Sequence, residues 1–150
     1  MPLTPHLNIA YPPPANTNKH ARHTLDLYLP SGSVEPKGLI VFVHGGAWRT
    51  SSSQDDTLSA LPTLFPQDYA LAIPNYRLSD QKGEEELAFK HPCHVLDIQA
   101  AVEWLANDGA GDRVPLAARI NIWIAGHSAG AVRGGRSASD MLAVGMIERC

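Results

Sequence analysis

Hydrophobic residues along the chain fall into short runs that are typical of strands. Thr24–Leu29 alternates polar and apolar positions, which is the period of a half-buried strand. Leu39–Val43 is a continuous apolar run rich in β-branched residues, and such a run fits a strand that is covered on both faces. Tyr69–Ile73 and Ile120–Ile124 are predicted to be two further buried strands.

Helical patterns separate these runs. From Pro92 to Asp108 the apolar residues lie on one helical stripe, which consists of Val95, Ile98, Val102 and Leu105. A shorter helix is predicted to begin near Ser53, with Asp56 three residues on as the partner in a capping box. Strands that alternate with helices predict an α/β fold with a parallel sheet.

The two ends of the chain lack these patterns. Residues 1–22 are predicted to be an irregular arm, because Pro12-Pro13-Pro14 fits neither a helix interior nor a central strand. Residues 23–131 form a partial domain. Residues 132–150 form a divergent tail, since two glycines, each costing about 1 kcal/mol in a helix interior, and two arginines interrupt the pattern. Within it, Met141–Ile147 is expected to form a short helix.

Composition narrows the class of partner. The 150 residues carry a net charge of -3, which argues against nucleic acid or an anionic membrane as the main partner. The longest aliphatic and aromatic run, Leu39–Val43, is far too short to span a bilayer. The two cysteines, Cys93 and Cys150, make no disulfide framework, and residues 1–22 lack the apolar core of a signal peptide. We therefore expect a cytoplasmic protein with no membrane partner.

A candidate nucleophile follows the last predicted strand. Gly126-His127-Ser128-Ala129-Gly130 is a G-x-S-x-G sequence between a strand and an intended helix. Such a turn is so sharp that the serine takes strained backbone angles and needs glycine on both flanks. The hydroxyl of Ser128 would project above the sheet, and the amide of Ala129 would point at the same place. The alternative is an ordinary glycine-rich turn.

A second glycine-rich turn, His44-Gly45-Gly46-Ala47-Trp48, follows the strand Leu39–Val43. Consecutive glycines let backbone amides face inward, so Gly46 and Ala47 are candidate donors of an oxyanion hole. The alternative is a turn in which Trp48 simply packs. Two such turns in this order, each after its own strand, favour the catalytic interpretation.

Taken together, these motifs resemble the α/β-hydrolase family, in particular its esterase branch with an HGG motif. The matching segments are Leu25–Pro30, His44–Trp48, Asn75–Leu78 and Gly126–Gly130. Within that branch, the segment from His91 to Asp97 makes the chain most similar to the kynurenine formamidases (arylformamidases). The resemblance covers about residues 24–131. It implies the N-terminal half of an α/β-hydrolase sheet, with mostly parallel strands, flanking helices and later strands missing.

The resemblance also implies a mechanism. Ser128 would attack the formyl carbonyl of a small substrate such as N-formylkynurenine, and the amides of Gly46, Ala47 and Ala129 would hold the oxyanion. A histidine, oriented by an aspartate, would carry the proton, and no cofactor or metal is needed. Carboxylesterase activity on small acyl esters and a non-catalytic fragment or pseudoenzyme stay open as alternatives. Oligomeric state is left open as well.

The histidine and aspartate of the triad are not found. In this family they follow the serine along the chain, yet all seven histidines lie at or before position 127. Neither Asp140 nor Glu148 follows a strand. We therefore expect a truncated or frame-shifted product with little activity, in which Ile120–Ile124 is an exposed, aggregation-prone edge.

Other polar residues are given simpler interpretations. His91, Cys93 and His94 are metal-ligand types, but the spacing is not a standard metal site, so no metal is predicted. His20 and His23 are expected on the surface of the arm, and Glu84-Glu85-Glu86 in a solvated loop. Asp97 either makes a structural bond near the active-site loops or is exposed.

Overall fold

The computed structural model describes residues 3–79, 89–131 and 143–146. Six strands form one sheet in the order β1-β2-β4-β3-β5-β6. Their bounds are β1 Thr4–Ala10, β2 Thr24–Leu29, β3 Leu39–Val43, β4 Ala70–Pro74, β5 Ile122–Gly126 and β6 Ala143–Met146.

The centre of the sheet is parallel, as the sequence predicts. β3 pairs in parallel with β4 on one side and with β5 on the other, and each of its five residues is buried. The outer pairings, β1 with β2, β2 with β4 and β5 with β6, are all antiparallel. Among the described residues, parallel pairing is therefore confined to β3, β4 and β5, and the two glycine-rich turns follow β3 and β5.

The helices lie on both faces of this sheet. They are α1 Leu61–Leu64, α2 Cys93–Asn107, α3 Gly109–Asp112 and α4 Leu116–Arg119, with 3-10 turns at Asp56–Leu58 and Ser128–Ala131. On one face, Leu105 of α2 belongs to the same buried apolar cluster as Leu27 and Val41. On the other, Phe65 packs near Phe42, with ring centroids 6.0 Å apart. The result is a three-layer α/β arrangement that buries both faces of β3.

The prediction of an irregular arm over residues 1–22 is wrong for Thr4–Ala10, which forms edge strand β1. The proline argument holds only for Pro12–Pro14, which lie in a loop. β1 is an edge strand with little periodicity in its burial, so its sequence carries no strand signal. Directly after β1, the amide of Tyr11 donates a buried hydrogen bond to the carbonyl of His23, the residue before β2.

The helix predicted near Ser53 is also wrong. Ser53 is buried in a turn, and its amide donates to Asn75 Oδ1 at 2.7 Å. The first turn begins at Asp56 instead, because the side chain of Asp55 caps it by accepting from Thr57 N. Pro62 then stands at the start of the four-residue α1.

The long helix is confirmed within one residue, but its buried face is rotated. Ala101, Val102 and Leu105 are buried as an apolar stripe requires, whereas 43% of Val95 is exposed. His94 and Asp97 are buried on the same helix. The first turn of α2 therefore faces a polar cluster and not the apolar core.

The last strand and the tail depart from expectation as well. β5 spans Ile122–Gly126, two residues later than predicted, because Leu116–Arg119 forms a helical turn that leaves Ile120 66% exposed. Ala143–Met146 is a strand and not part of a helix, and it pairs with Trp123–Gly126. The edge of β5 is therefore covered, contrary to the prediction of an exposed edge. Residues 132–142 and 147–150, with Asp140 and Glu148, and the loop of Glu84–Glu86 lie outside the described residues.

An apolar cavity of about 590 Å³ lies between α2 and β5. Its lining includes Val43, Trp48, Val102, Ile124 and Gly130, so one end reaches both glycine-rich turns. No helix among the described residues is long and apolar enough to cross a membrane.

Candidate active site

Ser128 stands at the tip of the turn that follows β5. Its φ is 54°, in the left-handed region that serine rarely adopts, and its side chain is exposed. Two backbone bonds fix the turn, from His127 N to Val43 O at 3.1 Å and from Gly130 N to His127 O at 3.0 Å. The strained, exposed serine expected of this motif is present.

The flanking glycines are required by close backbone contacts. A Cβ on Gly126 would collide with the carbonyl of Gly130, and a Cβ on Gly130 would collide with the carbonyl of Val43. Both obstacles are backbone atoms, which a side-chain rotation cannot relieve. The turn therefore excludes any larger residue at these two positions.

The loop after β3 adopts an equally rare conformation. Gly46, Ala47 and Trp48 have φ angles of 98°, 51° and 63° in succession. The amides of Arg49 and Thr50 both donate to Gly46 O, at 2.9 and 3.0 Å, and close the turn. Within the described residues, nothing accepts a hydrogen bond from the amides of Gly46 or Ala47.

Gly45 brings the two turns together. A Cβ built on Gly45 would lie 3.0 Å from His127 O and 3.2 Å from Ser128 Cβ. The backbone at Gly45 can approach Ser128 this closely only because it carries no side chain. The two motifs, about 80 residues apart in sequence, thus meet at the carboxyl edge of β3 and β5.

His44 is buried beneath this loop and stacks on Tyr76, with ring centroids 4.4 Å apart and an interplanar angle of 15°. Its Nδ1 lies 2.9 Å from Gly45 O, so this nitrogen carries the proton and donates. Burial lowers the pKa of His44 to about 4, and the ring is therefore neutral at pH 7. A neutral, buried ring bonded to its own loop fits a structural role.

Trp48 both packs against neighbouring rings and lines the apolar cavity. Its ring lies 5.3 Å from the rings of Tyr76 and of His94. His94 is buried in turn, with Nε2 3.0 Å from Ser79 Oγ. Trp48 therefore links this group of aromatic rings to the apolar cavity.

Asp97 is buried and makes structural bonds, which is the first of the two alternatives that the sequence analysis gives for it. Its carboxylate accepts from Arg77 Nη2 at 2.7 Å, from Arg77 Nε at 2.9 Å and from the Arg77 amide at 2.8 Å. His23 Nε2 lies 3.1 Å from the same carboxylate. Burial alone would raise the pKa of Asp97, but the Arg77 hydrogen bonds outweigh it and the pKa is lowered.

The expectation that His23 lies on the surface is wrong. His23 is fully buried, and its Nδ1 accepts from the amide of His20, which is itself half-buried against the ring of Phe89. The sequence around His23 gives no periodic signal of burial. Asn75-Tyr76-Arg77, which the sequence analysis names only as part of the resemblance, carries a signal of its own, because polar residues directly after a buried strand lie at the edge where the two turns meet.

No general base is found beside the serine. Among residues 3–79, 89–131 and 143–146, no histidine hydrogen-bonds to Ser128 Oγ; His23, His44 and His94 have the other partners described above. The same residues hold no group of three or more His, Cys, Asp or Glu arranged to bind a metal ion. His91 is exposed while His94 is buried, so these two candidate ligands have different surroundings.

The sequence that forms this site matches a known protein family. The BD-FAE family matches residues 25–134, which include both turns and the strands before them. The chain belongs to the BD-FAE family. This BD-FAE chain is 34% identical over 92 residues to a kynurenine formamidase of Meyerozyma guilliermondii, covering 61% of the chain and 30% of that protein. It is 29% identical over 122 residues to kynurenine formamidase avaC of Aspergillus versicolor, covering 74% of the chain and 40% of that protein.

Solved structures similar to the BD-FAE chain include esterases. Esterase B from Lactobacillus rhamnosis, solved with a tributyrin phosphonate, superposes with a TM-score of 0.62 at 22% identity, over 86% of this chain and 37% of that one. An esterase from Pyrobaculum calidifontis gives a TM-score of 0.52 at 26% identity, over 71% and 31%. The α/β-hydrolase fold that the sequence predicts is confirmed. The chain spans 30% to 40% of the length of the two formamidases that it matches.

Proposed function

We propose that Ser128 is the nucleophile of a serine-hydrolase site and that the amides of Gly46, Ala47 and Ala129 form its oxyanion hole. The observation that carries the proposal is the contact between the two turns. Gly45 lies against Ser128, the serine is exposed at a strained φ of 54°, and the Gly46 and Ala47 amides have no acceptor among the described residues. Unpaired amides beside an exposed, strained hydroxyl are what acyl transfer requires.

The proposed reaction proceeds in two steps. Ser128 Oγ attacks the carbonyl carbon and loses its proton to a base, while the carbonyl oxygen becomes an oxyanion held by the amides. The bond from carbon to the leaving group then breaks, and the leaving group takes up the proton. Water attacks the acyl-serine in the same way, which releases the acid and restores the hydroxyl.

The substrate class is proposed from the relatives. Both curated relatives are named kynurenine formamidase, so we propose hydrolysis of an N-formyl arylamine such as N-formylkynurenine to the free amine and formate. The apolar cavity that reaches Trp48 could accommodate an aromatic ring. The second candidate is a carboxylesterase acting on small acyl esters, which the esterase structures favour.

A comparison of substrates tests the proposal. Initial rates on N-formylkynurenine and on p-nitrophenyl acetate separate the formamidase from the carboxylesterase. Ser128→Ala should abolish either activity. Ser59→Ala, which alters an exposed serine away from the site, is the matched control and should leave it unchanged. Activity that survives in Ser128→Ala would disprove the assignment of the nucleophile.

The rate on either substrate should be low for the 150-residue chain. No described residue acts as base for Ser128, and a serine without its base loses most of its nucleophilicity. Turnover near the rate of a complete triad would show that a base is supplied. If Ser128 reacts neither with substrates nor with acylating probes, the chain is a non-catalytic fragment or pseudoenzyme.

A further inference from the structure

Tyr76 is buried behind the loop that carries the proposed oxyanion donors. Its hydroxyl donates to His44 O at 2.8 Å and lies 3.1 Å from Gly45 O. Its ring stacks on His44, and Nδ1 of that histidine donates to Gly45 O as well. Two successive backbone carbonyls of one loop are thus held from the same side.

The direction of a carbonyl fixes the direction of the next amide. In a trans peptide the C=O of one residue and the N–H of the following residue point in opposite directions. The carbonyls of His44 and Gly45 face Tyr76, so the amides of Gly45 and Gly46 face away from it. Successive amides on one side form a concave site for a negatively charged oxygen.

We propose that Tyr76 is a positioning residue, whose hydroxyl holds the His44 and Gly45 carbonyls so that the Gly46 amide is preset to receive an anionic oxygen beside Ser128. The inference rests on the proposed serine-hydrolase site. The proposed role depends on the hydroxyl of Tyr76 and not on the packing of its ring, because the ring would pack equally well without the hydroxyl. Preset donors need no reorganisation when charge develops, which is the source of their effect.

Tyr11 supplies a matched control. It is also buried, and its hydroxyl donates to a backbone carbonyl, that of Asn75, at 2.6 Å. Tyr11→Phe and Tyr76→Phe therefore each remove one buried hydroxyl and leave one carbonyl without its donor. Only Tyr76→Phe removes a bond to the loop that contains Gly46.

The primary test is the NMR order parameter of the Gly46 amide in the ¹⁵N-labelled full chain, which requires no catalytic activity. We expect a value near that of rigid backbone, about 0.85, in the wild-type chain and in Tyr11→Phe, and a fall toward about 0.6 in Tyr76→Phe. An unchanged value in Tyr76→Phe, or an equal fall in both variants, would overturn the proposal. If Tyr76→Phe unfolds, all three chains are compared in trimethylamine N-oxide, which favours folded states. Failure of Tyr76→Phe alone to fold there would contradict a positioning role.

Reaction of Ser128 with a fluorophosphonate separates this proposal from the proposed function. We expect the modification rate to fall about tenfold in Tyr76→Phe and to stay unchanged in Tyr11→Phe, since one lost oxyanion donor costs about 10²–10³-fold and His44 still holds Gly45 O. If the order parameter falls as expected while the wild-type Ser128 does not react, the positioning inference stands and the proposed hydrolase function fails.

Discussion

At the scale of single residues, the two turns are defined by backbone positions that sequence reasoning could name. Glycine at 126 and 130 predicts a turn too tight for side chains, and the close carbonyls of Gly130 and Val43 explain why. The positive φ of Ser128 follows from the same crowding. The positive φ of Ala47 and Trp48 carries no sequence signal, because neither residue is glycine.

Gly130→Ala tests the turn. The added methyl would meet Val43 O, a backbone atom that cannot rotate away, and we expect the free energy of unfolding to fall by about 3 kcal/mol or more. Gly32→Ala is the control: Gly32 has a φ of 75° but no atom within 4 Å of an added Cβ, so only the backbone strain of about 1 kcal/mol remains. Urea denaturation measures both. Equal losses in the two variants would contradict the packing at the turn.

Because the His44 ring is buried and neutral, we expect the free energy of unfolding to depend on pH. Burial lowers its pKa from 6.5 to about 4, so the unfolded chain takes up the proton first as the pH falls. The stabilisation is complete above pH 6.5 and is lost as the pH falls toward 4, by on the order of 3 kcal/mol. In His44→Asn the amide nitrogen replaces Nδ1 as donor and cannot titrate. Its stability should therefore fall less than that of the wild-type chain between pH 7 and pH 4.5, and parallel losses would argue against a buried neutral ring.

At the scale of elements, the strongly patterned segments are the ones that the sequence predicts correctly. β2, β3 and α2 carry a clear period or a continuous apolar run, and each is found within a residue of its predicted bounds. β1 and β6 are missed, since edge strands need little apolar periodicity. The sequence also fails to predict that the first turn of α2 buries His94 and Asp97. His23 and Arg77, which pair with Asp97, are 74 and 20 residues away from it in sequence.

Asp97→Asn tests the polar cluster that joins α2 to the segment after β4. The change leaves the buried Arg77 without its counter-charge, and loss of one partner of a buried pair costs about 3–5 kcal/mol. Asp112→Asn removes one partner of an exposed pair with Arg119, in which 89% of the aspartate side chain is accessible, and should cost less than about 1 kcal/mol. The lowered pKa of Asp97 means that this stabilisation holds above pH 3.8 and is lost as the pH falls further. Equal effects in the urea midpoint would disprove the buried network.

The pairing of β6 with β5 can be tested through the backbone. Val144 lies opposite Ala125, and Gly145 lies opposite Ile124. Since adjacent residues of a strand point their amides to opposite sides, proline at one of the two positions must remove a bond to β5. We expect either Val144→Pro or Gly145→Pro to expose the edge of β5 and raise aggregation, seen as increased light scattering. Unchanged scattering in both variants would contradict the pairing.

At the scale of the whole molecule, the fold brings together two turns that each carry only a weak signal alone. The parallel neighbours β3 and β5 end at the same edge, so the order of the strands alone places His44–Trp48 beside Ser128. The sequence predicts the two strands and the turn after each, whereas the adjacency of β3 and β5 is a finding of the structure. The histidine and aspartate of a triad cannot be assigned to any described residue, and no pattern in the sequence replaces them.

The most direct test of the proposed site is a crystal structure of the chain after reaction with a fluorophosphonate. We predict a phosphorus bonded to Ser128 Oγ and a phosphonyl oxygen about 2.7–3.1 Å from the amide nitrogens of Gly46 and Ala47. That result would place the nucleophile and the oxyanion donors in one site. An adduct on another residue, or a phosphonyl oxygen turned toward solvent away from both amides, would contradict it.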